Sequence, residues 1–369
     1  MRFRITHRTT YRYAQPVHES FNEVRLQPRS SPTQACLGFD LSVEPPTSIV
    51  TFNDYYGNIV HTFSVPYLHD ELTIEAVSEV ATFAGMNEPL GGPRDASSDE
   101  SPALEALRTD ELLADTHAEF LAPSTYVALE PASAELAEAL LRRHPSVSAY
   151  AFLLAATADI RERFTYQLGV TNVQSTVADV IQGGRGVCQD FAHVLLAICR
   201  QVGIPARYVS GYIGNVASSS ASHAWVEAFV PPYGWLGVDP TAGLPCTGRH
   251  VKVAIGRDYA DVTVVRGSYR GESEATLDVS VRSEMREDAP RLYPGLETDS
   301  MRERGRLVQY QVLGSMQQKQ RLGAMRQSFA TFSQSRVVAG SYLVQHPEPD
   351  APRQQPQQQQ QAACRAERP

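Results

Sequence analysis

Along the first thirteen residues, MRFRITHRTTYRY, apolar and cationic side chains alternate. Phe3, Ile5, Tyr11 and Tyr13 share one parity, and Arg2, Arg4, Arg8 and Arg12 share the other. This is the period of a strand with one buried face. The arginine row is either a ligand face or a solvated sheet face. ELTIEAV (71–77) favours the second reading, because Glu71, Thr73 and Glu75 share one parity and cross-strand pairs of opposite charge suit such a row. GFDLSVEP, SIVTFNDYYG and NIVHTFSV are further short strands punctuated by Pro and Gly, so residues 1–82 are expected to form an antiparallel β domain. Residues 83–116, with NEPLGGPRDASSDESP, shift to Gly, Pro, Ser and acid and read as a linker or insertion.

The period then changes. Helices are predicted over ASAELAEALLRRH (132–144), AYAFLLAATADIRERF (149–164) and, more briefly, STVADVIQ (175–182). Phe191, Val194, Leu195, Ile198 and Val202 form one apolar stripe, and Gly203 and Pro205 are stop signals, which places a helix over about 188–202. Strands follow in ARYVSGYI (206–213), HAWVEAFV (223–230) and WLGVDPT (235–241), with a β-rich stretch to about 285. Helices followed by strands make residues 117–285 an α+β domain. In the extension 286–369, Val308, Val312 and Met316 share a helical face, as do Leu322, Met325, Phe329 and Phe332. Such faces dock on their own domain more often than on a protein partner, and both readings stand. The Gln-rich end, PEPDAPRQQPQQQQQAACRAERP, has almost nothing to bury and is expected to be disordered.

Composition narrows the classes. The chain has 369 residues, 42% hydrophobic and 20% charged, which suits two domains with proper cores. A net charge of −8 argues against a general binder of nucleic acid or anionic membranes. The cysteines at 36, 188, 199, 246 and 364 are odd in number, scattered and away from zinc-ligand spacing, so neither a disulfide framework nor a structural metal is expected. The N-terminus alternates where a signal peptide would have an apolar run, and 149–160 is too short to span a bilayer. A reducing, cytoplasmic setting is the expectation.

The candidate chemistry begins at GGRGVCQD (183–190). It matches neither G-x-x-x-x-G-K-[ST] nor G-x-G-x-x-G, so a phosphate cradle is a weak reading. A lone cysteine is more often packing than nucleophile, and Cys199, inside the helix, reads that way. Cys188 differs: it stands at the helix N-terminus, where unsatisfied N–H groups and the dipole favour a thiolate. A proton partner is available in HAWVEAFVPPYGWLGVDPT. If Phe229 faces Trp235 across the Pro-Pro-Tyr-Gly turn, Trp225 lies opposite Asp239 and His223 stands one diagonal step away on the same face. A one-residue slip would part His223 from Asp239. In this register Asp239 orients the imidazole and His223 takes the Cys188 proton, then returns it to a leaving amine. Tyr166 is a candidate second oxyanion donor, and Trp225 and Trp235 are candidate cleft walls, with core packing the default for all three.

These blocks carry a resemblance. GVCQDFAHVLLAICRQVGIPARYVSGYI, SHAWVEAFVPPYGWLGVDPT and GRDYADV (256–262) resemble the bacterial transglutaminase-like family, a branch of the papain-like thiol enzymes. MRFRITHRTTYRY with NDYYGN is similar to the β domain that commonly precedes that core. The resemblance runs from residue 1 to about 285. It implies a papain-like transglutaminase core, with helices packed on an antiparallel sheet, behind a β-sandwich-like N-terminal domain. It places the nucleophile on Cys188, the general base on His223 and the orienting carboxylate on Asp239, with Asp190 in a structural role. It further implies thioester chemistry on a peptide or amide substrate, hydrolysis more than transfer to an amine, and no metal or organic cofactor. A binding or scaffold module on the same fold is the alternative of another class.

Overall fold

The computed structural model describes residues 1–85, 90, 92, 99–145, 147–171, 175–219 and 221–286, with the backbone of two strands at 336–339 and 342–344. The helical faces expected at 308–316 and 322–332 and the Gln-rich tail lie outside the described residues.

Five strands open the chain: β1 (Arg2–Val24), β2 (Gln34–Glu44), β3 (Ile49–Asn53), β4 (Ile59–Val65) and β5 (His69–Thr82). The long β1 serves two sheet halves. Its inner parity from Phe3 to Tyr13 stays buried, with Thr10 buried as well, then Ala14, Gln15 and Pro16 are exposed and the pairing with β5 shifts register between Arg12 and Val17. Pro16 has no amide hydrogen to give a ladder, which suits such a break. Beyond it β1 pairs with β4 instead. The halves close over Tyr11, Val17, Leu26, Phe63, Leu72 and Ile74 in a sandwich-like core. On the solvent side Arg4, Arg8 and Arg12 stand opposite Glu79, Glu75 and Glu71, at 3.5, 3.7 and 3.1 Å. These three arginines are thus matched by carboxylates, as the solvated-face reading expects, and each exposed pair contributes about 0–1 kcal/mol.

Helices α1 (Leu104–Arg108), α2 (Glu111–Thr116) and α3 (Ala118–Leu121) come next, inside and just beyond the stretch read as a linker. That reading is corrected: Leu104, Leu107 and Leu113 are buried in the helical core. Their turns are too short for a periodic signal to stand out from the surrounding Ser and acid. There follow α4 (Pro131–Arg143), α5 (Ala149–Arg163), β6 (Thr165–Tyr166), α6 (Val177–Gly183), β7 (Arg185–Gly186) and α7 (Cys188–Gln201). The predicted stripe of α7 is at most 1% exposed, yet so are Ala192, Leu196, Ala197 and Cys199. A helix buried on nearly every face, its polar His193 and Arg200 included, belongs in the middle of a domain.

The next strands are β8 (Ala206–Ile213), β9 (Val216–Ser219), β10 (His223–Val230), β11 (Gly234–Asp239), β12 (Leu244–Pro245) and β13 (His250–Gly256). All but β9 form an antiparallel sheet in the order β12-β11-β10-β8-β13, and α7 packs against β8 and β10. The chain then returns to its start. β14 (Val265–Arg270) and β15 (Ala275–Arg286), read with the second domain, hydrogen-bond to β1, with Arg2 opposite Arg286 and Tyr13 opposite Ala275. The inner face of this β unit supplies Phe3, Ile5, Val80 and Val281 to the core that holds α7. At about 1.5–3 kcal/mol for each large side chain buried, the shared core holds the two units together. No helix among the described residues is long and apolar enough to cross a membrane.

Candidate active site

The approach to Cys188 is fixed by two glycines. Gly184 ends α6 with φ of 65°, the left-handed conformation that favours glycine. At Gly186 a Cβ would come within 2.7 Å of Asp190 Oδ2, so a side chain there would collide. Asp190 reaches back from the first turn of α7, where Oδ2 accepts the Val187 N–H at 2.8 Å and the Thr171 hydroxyl at 2.6 Å. Burial pushes its carboxyl up from the ordinary value, and these two donors oppose that only in part. Asp190 therefore ties the loop to the helix. Cys188 is the first residue of α7 and is half-buried. Its N–H is one of the helix-terminal groups without an intrahelical acceptor. Cys199 is fully buried, and burial pushes its thiol up to about 12.

The β10–β11 hairpin has the expected register, with Phe229 opposite Trp235 and Val226 opposite Val238. His223 Nε2 donates to Asp239 Oδ2 at 2.8 Å. That leaves Nδ1 for Cys188, which lies in the same cavity. Burial alone would lower the imidazole pKa, but the Asp239 carboxylate and the Cys188 sulfur outweigh it and push it up to about 10. Burial in turn acts to raise Asp239, and the ring N–H groups of His223 and His250 reverse this, holding it well below the carboxylate range.

His250 is the participant the sequence reading missed. Its Nδ1 accepts the Thr247 N–H at 3.0 Å, which obliges the proton to sit on Nε2, 3.3 Å from Asp239 Oδ2. Oδ1 accepts the N–H groups of Thr241 at 2.9 Å and Ala242 at 3.3 Å. Asp239 is thus held by donors on both oxygens. Ligating atoms of His223, Asp239 and His250 lie within 4.8 Å of one another, a spacing that could hold a metal. The chemistry of the set argues otherwise, since the Nε2 that His250 would offer already carries a hydrogen.

The aromatic candidates divide. Tyr166 is half-exposed and lines the cavity beside Cys188. Trp225 does not line it: at 2% exposure it packs with Val209, Cys246 and Ile255, its ring 5.2 Å from that of His250. Trp235 lies elsewhere too, under the Arg207 guanidinium at 3.9 Å. Neither tryptophan walls the cleft. Tyr208, not singled out from the sequence, does line it, and burial together with the nearby Cys188 charge keeps its phenol protonated. The cavity measures about 340 Å³, and part of its wall comes from the β unit through His7, Thr9, Leu277 and Val279.

Comparison with known proteins agrees with this architecture. Residues 3–81 match the family model for the bacterial transglutaminase-like N-terminal region, and residues 135–240 match that of the transglutaminase-like superfamily. An uncharacterized protein of Mycobacterium leprae is 34% identical over 292 residues, 76% of this chain and 97% of the relative. The chain belongs to the transglutaminase-like superfamily. A solved structure of a candidate cysteine protease from Cytophaga hutchinsonii, 26% identical, covers 80% of this transglutaminase-like chain and 94% of its own, with a TM-score of 0.59. A protein-glutamine gamma-glutamyltransferase of Pseudomonas aeruginosa is 32% identical over 125 residues, 30% of this chain and 18% of that protein.

Proposed function

We propose that this chain is a thiol enzyme that breaks an amide bond by acyl transfer, with Cys188 as nucleophile, His223 as general base and acid, and Asp239 as the orienting carboxylate. The observation that carries the reading is the single cavity holding Cys188 and His223, whose imidazole is raised by Asp239 and the sulfur together. The thiol proton passes to His223 Nδ1 and Sγ adds to the amide carbonyl carbon. Negative charge on the former carbonyl oxygen meets the Cys188 N–H and the Tyr208 hydroxyl, which stays protonated. The C–N bond breaks as Nδ1–H gives its proton to the departing nitrogen. Water, deprotonated by His223, then attacks the thioester and releases acid and thiol.

Transfer to an amine in place of water is the second reading, supported by the likeness to the P. aeruginosa glutamyltransferase. The same triad serves both fates, and exclusion of water decides between them. Trapping the acyl-enzyme from a peptide library and then adding a primary amine tests both at once. Acid product supports hydrolysis, and amine incorporated into product supports transfer. A Cys188 that alkylates no faster than a free thiol near neutral pH, with Cys188→Ala leaving every phenotype intact, would replace the enzyme with a binding module.

A further inference from the structure

The cavity wall opposite the cysteine comes from the β unit, and its chemistry is one-sided. The inner parity of β1 runs Phe3, Ile5, His7, Thr9: the first two enter the shared core and the next two face the cavity. On β15, Val279 stands opposite Thr9 and Leu277 opposite Tyr11, and both line the cavity. Val264 and Val265 extend the same wall. The polar groups there satisfy one another: His7 Nδ1 meets the Tyr212 hydroxyl at 2.9 Å and Nε2 the Thr9 hydroxyl at 3.1 Å. Burial pushes the His7 pKa down to about 4, so its ring is neutral near pH 7.

Fixed charge is sparse on this side. Among the described residues no Lys, Arg or Glu lines the cavity. Asp278 is the one carboxylate in the lining, on the strand parity opposite to that of Leu277 and Val279, with Thr10 across from it. At the mouth, Leu168 is 69% exposed, an apolar group held in water beside the cysteine. A wall of valines and a leucine, whose His7 and Thr9 are already hydrogen-bonded, disfavours an ion, which would lose hydration there without gaining a partner of its own.

We propose that the β unit builds a substrate subsite, and that this subsite selects an uncharged, apolar group adjoining the scissile amide over a charged one. The proposal rests on Cys188 being the nucleophile. It also gives the β unit a role in recognition beyond its share of the core.

The test uses the full chain and peptidyl chloromethyl ketones that differ only in the side chain next to the reactive carbonyl: Leu, Phe, Lys or Glu. Iodoacetamide, which needs no subsite, is the control. Leu and Phe probes should inactivate at least about tenfold faster than Lys and Glu probes. Val279→Asp should reduce that preference and favour the Lys probe. Leu168→Glu, at an exposed position with little folding cost, should shift it the same way, while Val279→Thr tests the wall with almost unchanged shape. Each probe rate is divided by the iodoacetamide rate of the same variant, so that a change in thiol reactivity cancels and the preference among probes is read alone. Equal rates for all four probes on a chain whose Cys188 reacts readily with iodoacetamide overturn the subsite alone. So does a preference untouched by all three variants. A Cys188 unreactive to iodoacetamide overturns the reading beneath it, and the subsite with it.

Discussion

Replacing Asp239 with Asn separates charge from shape at the centre of the site. The native carboxylate accepts from His223 at 2.8 Å and His250 at 3.3 Å on Oδ2, and from Thr241 at 2.9 Å and Ala242 at 3.3 Å on Oδ1. An amide has only one accepting end. With its oxygen toward the histidines, its NH2 confronts two backbone N–H groups. With its NH2 toward the histidines, it confronts two ring N–H groups. His223 can relieve the second conflict only by moving its proton from Nε2 to Nδ1, the nitrogen that must take the thiol proton. Each buried donor left without a partner costs about 1–3 kcal/mol, so the melting temperature should fall by several degrees. Catalysis should suffer more, because the equivalent change in a Ser-His-Asp triad lowers kcat about 10⁴-fold. With the carboxylate charge removed, burial dominates and the imidazolium is lost at a lower pH than the native value of about 10. Two measurements check this: kcat/KM on a peptide substrate, and the rate of Cys188 alkylation by iodoacetamide against pH. An Asp239→Asn enzyme within about tenfold of native kcat, or with an unchanged alkylation profile, refutes the reasoning.

Further predictions concern the surroundings of the same carboxylate and the developing oxyanion. His250→Phe removes one donor from Asp239 and orphans the Thr247 N–H, so kcat should fall about 10- to 100-fold with KM little changed. His250→Gln, whose amide offers an acceptor and a donor at similar spacing, should recover part of the loss, and its pH–rate profile should move back toward native. Tyr208→Phe should lower kcat about 100- to 1000-fold without slowing iodoacetamide alkylation. Tyr166→Phe should have a much smaller effect on kcat, because that ring is half-exposed at the cavity rim. The raised imidazole of His223 contributes its full stability below its ordinary pKa of 6.5, and this fades as pH rises towards about 10. The gap in urea stability between native protein and Asp239→Asn should accordingly shrink across that window.

What could be read from the sequence was whatever depended on near neighbours. The α7 stripe and the Pro-Pro-Tyr-Gly turn are local, so the helix start at Cys188 and the Phe229–Trp235 register followed from spacing alone. The pairing of Arg8 and Arg12 with Glu75 and Glu71 could be foreseen because parity on each strand is fixed by period two. His250 could not be found that way. Its strand β13 joins the sheet beside β8, on the far side of β10 from β11, so only the assembled sheet order brings its ring to Asp239. Trp225 fails for a related reason. Period two correctly puts it on the face of His223 and Asp239, but period says nothing about what covers that face, and Tyr56 and Leu90 from distant segments help to bury it. The return of β15 to β1 is the longest reach of all, and it is what places Val279 beside Thr9 on the cavity wall. The chemical groups of the site therefore lie close together in sequence, whereas the surface that would meet a substrate is assembled from both ends of the fold. On this reasoning a change in β1 or β15 should alter which amide is taken more than it alters the reactivity of the thiol itself.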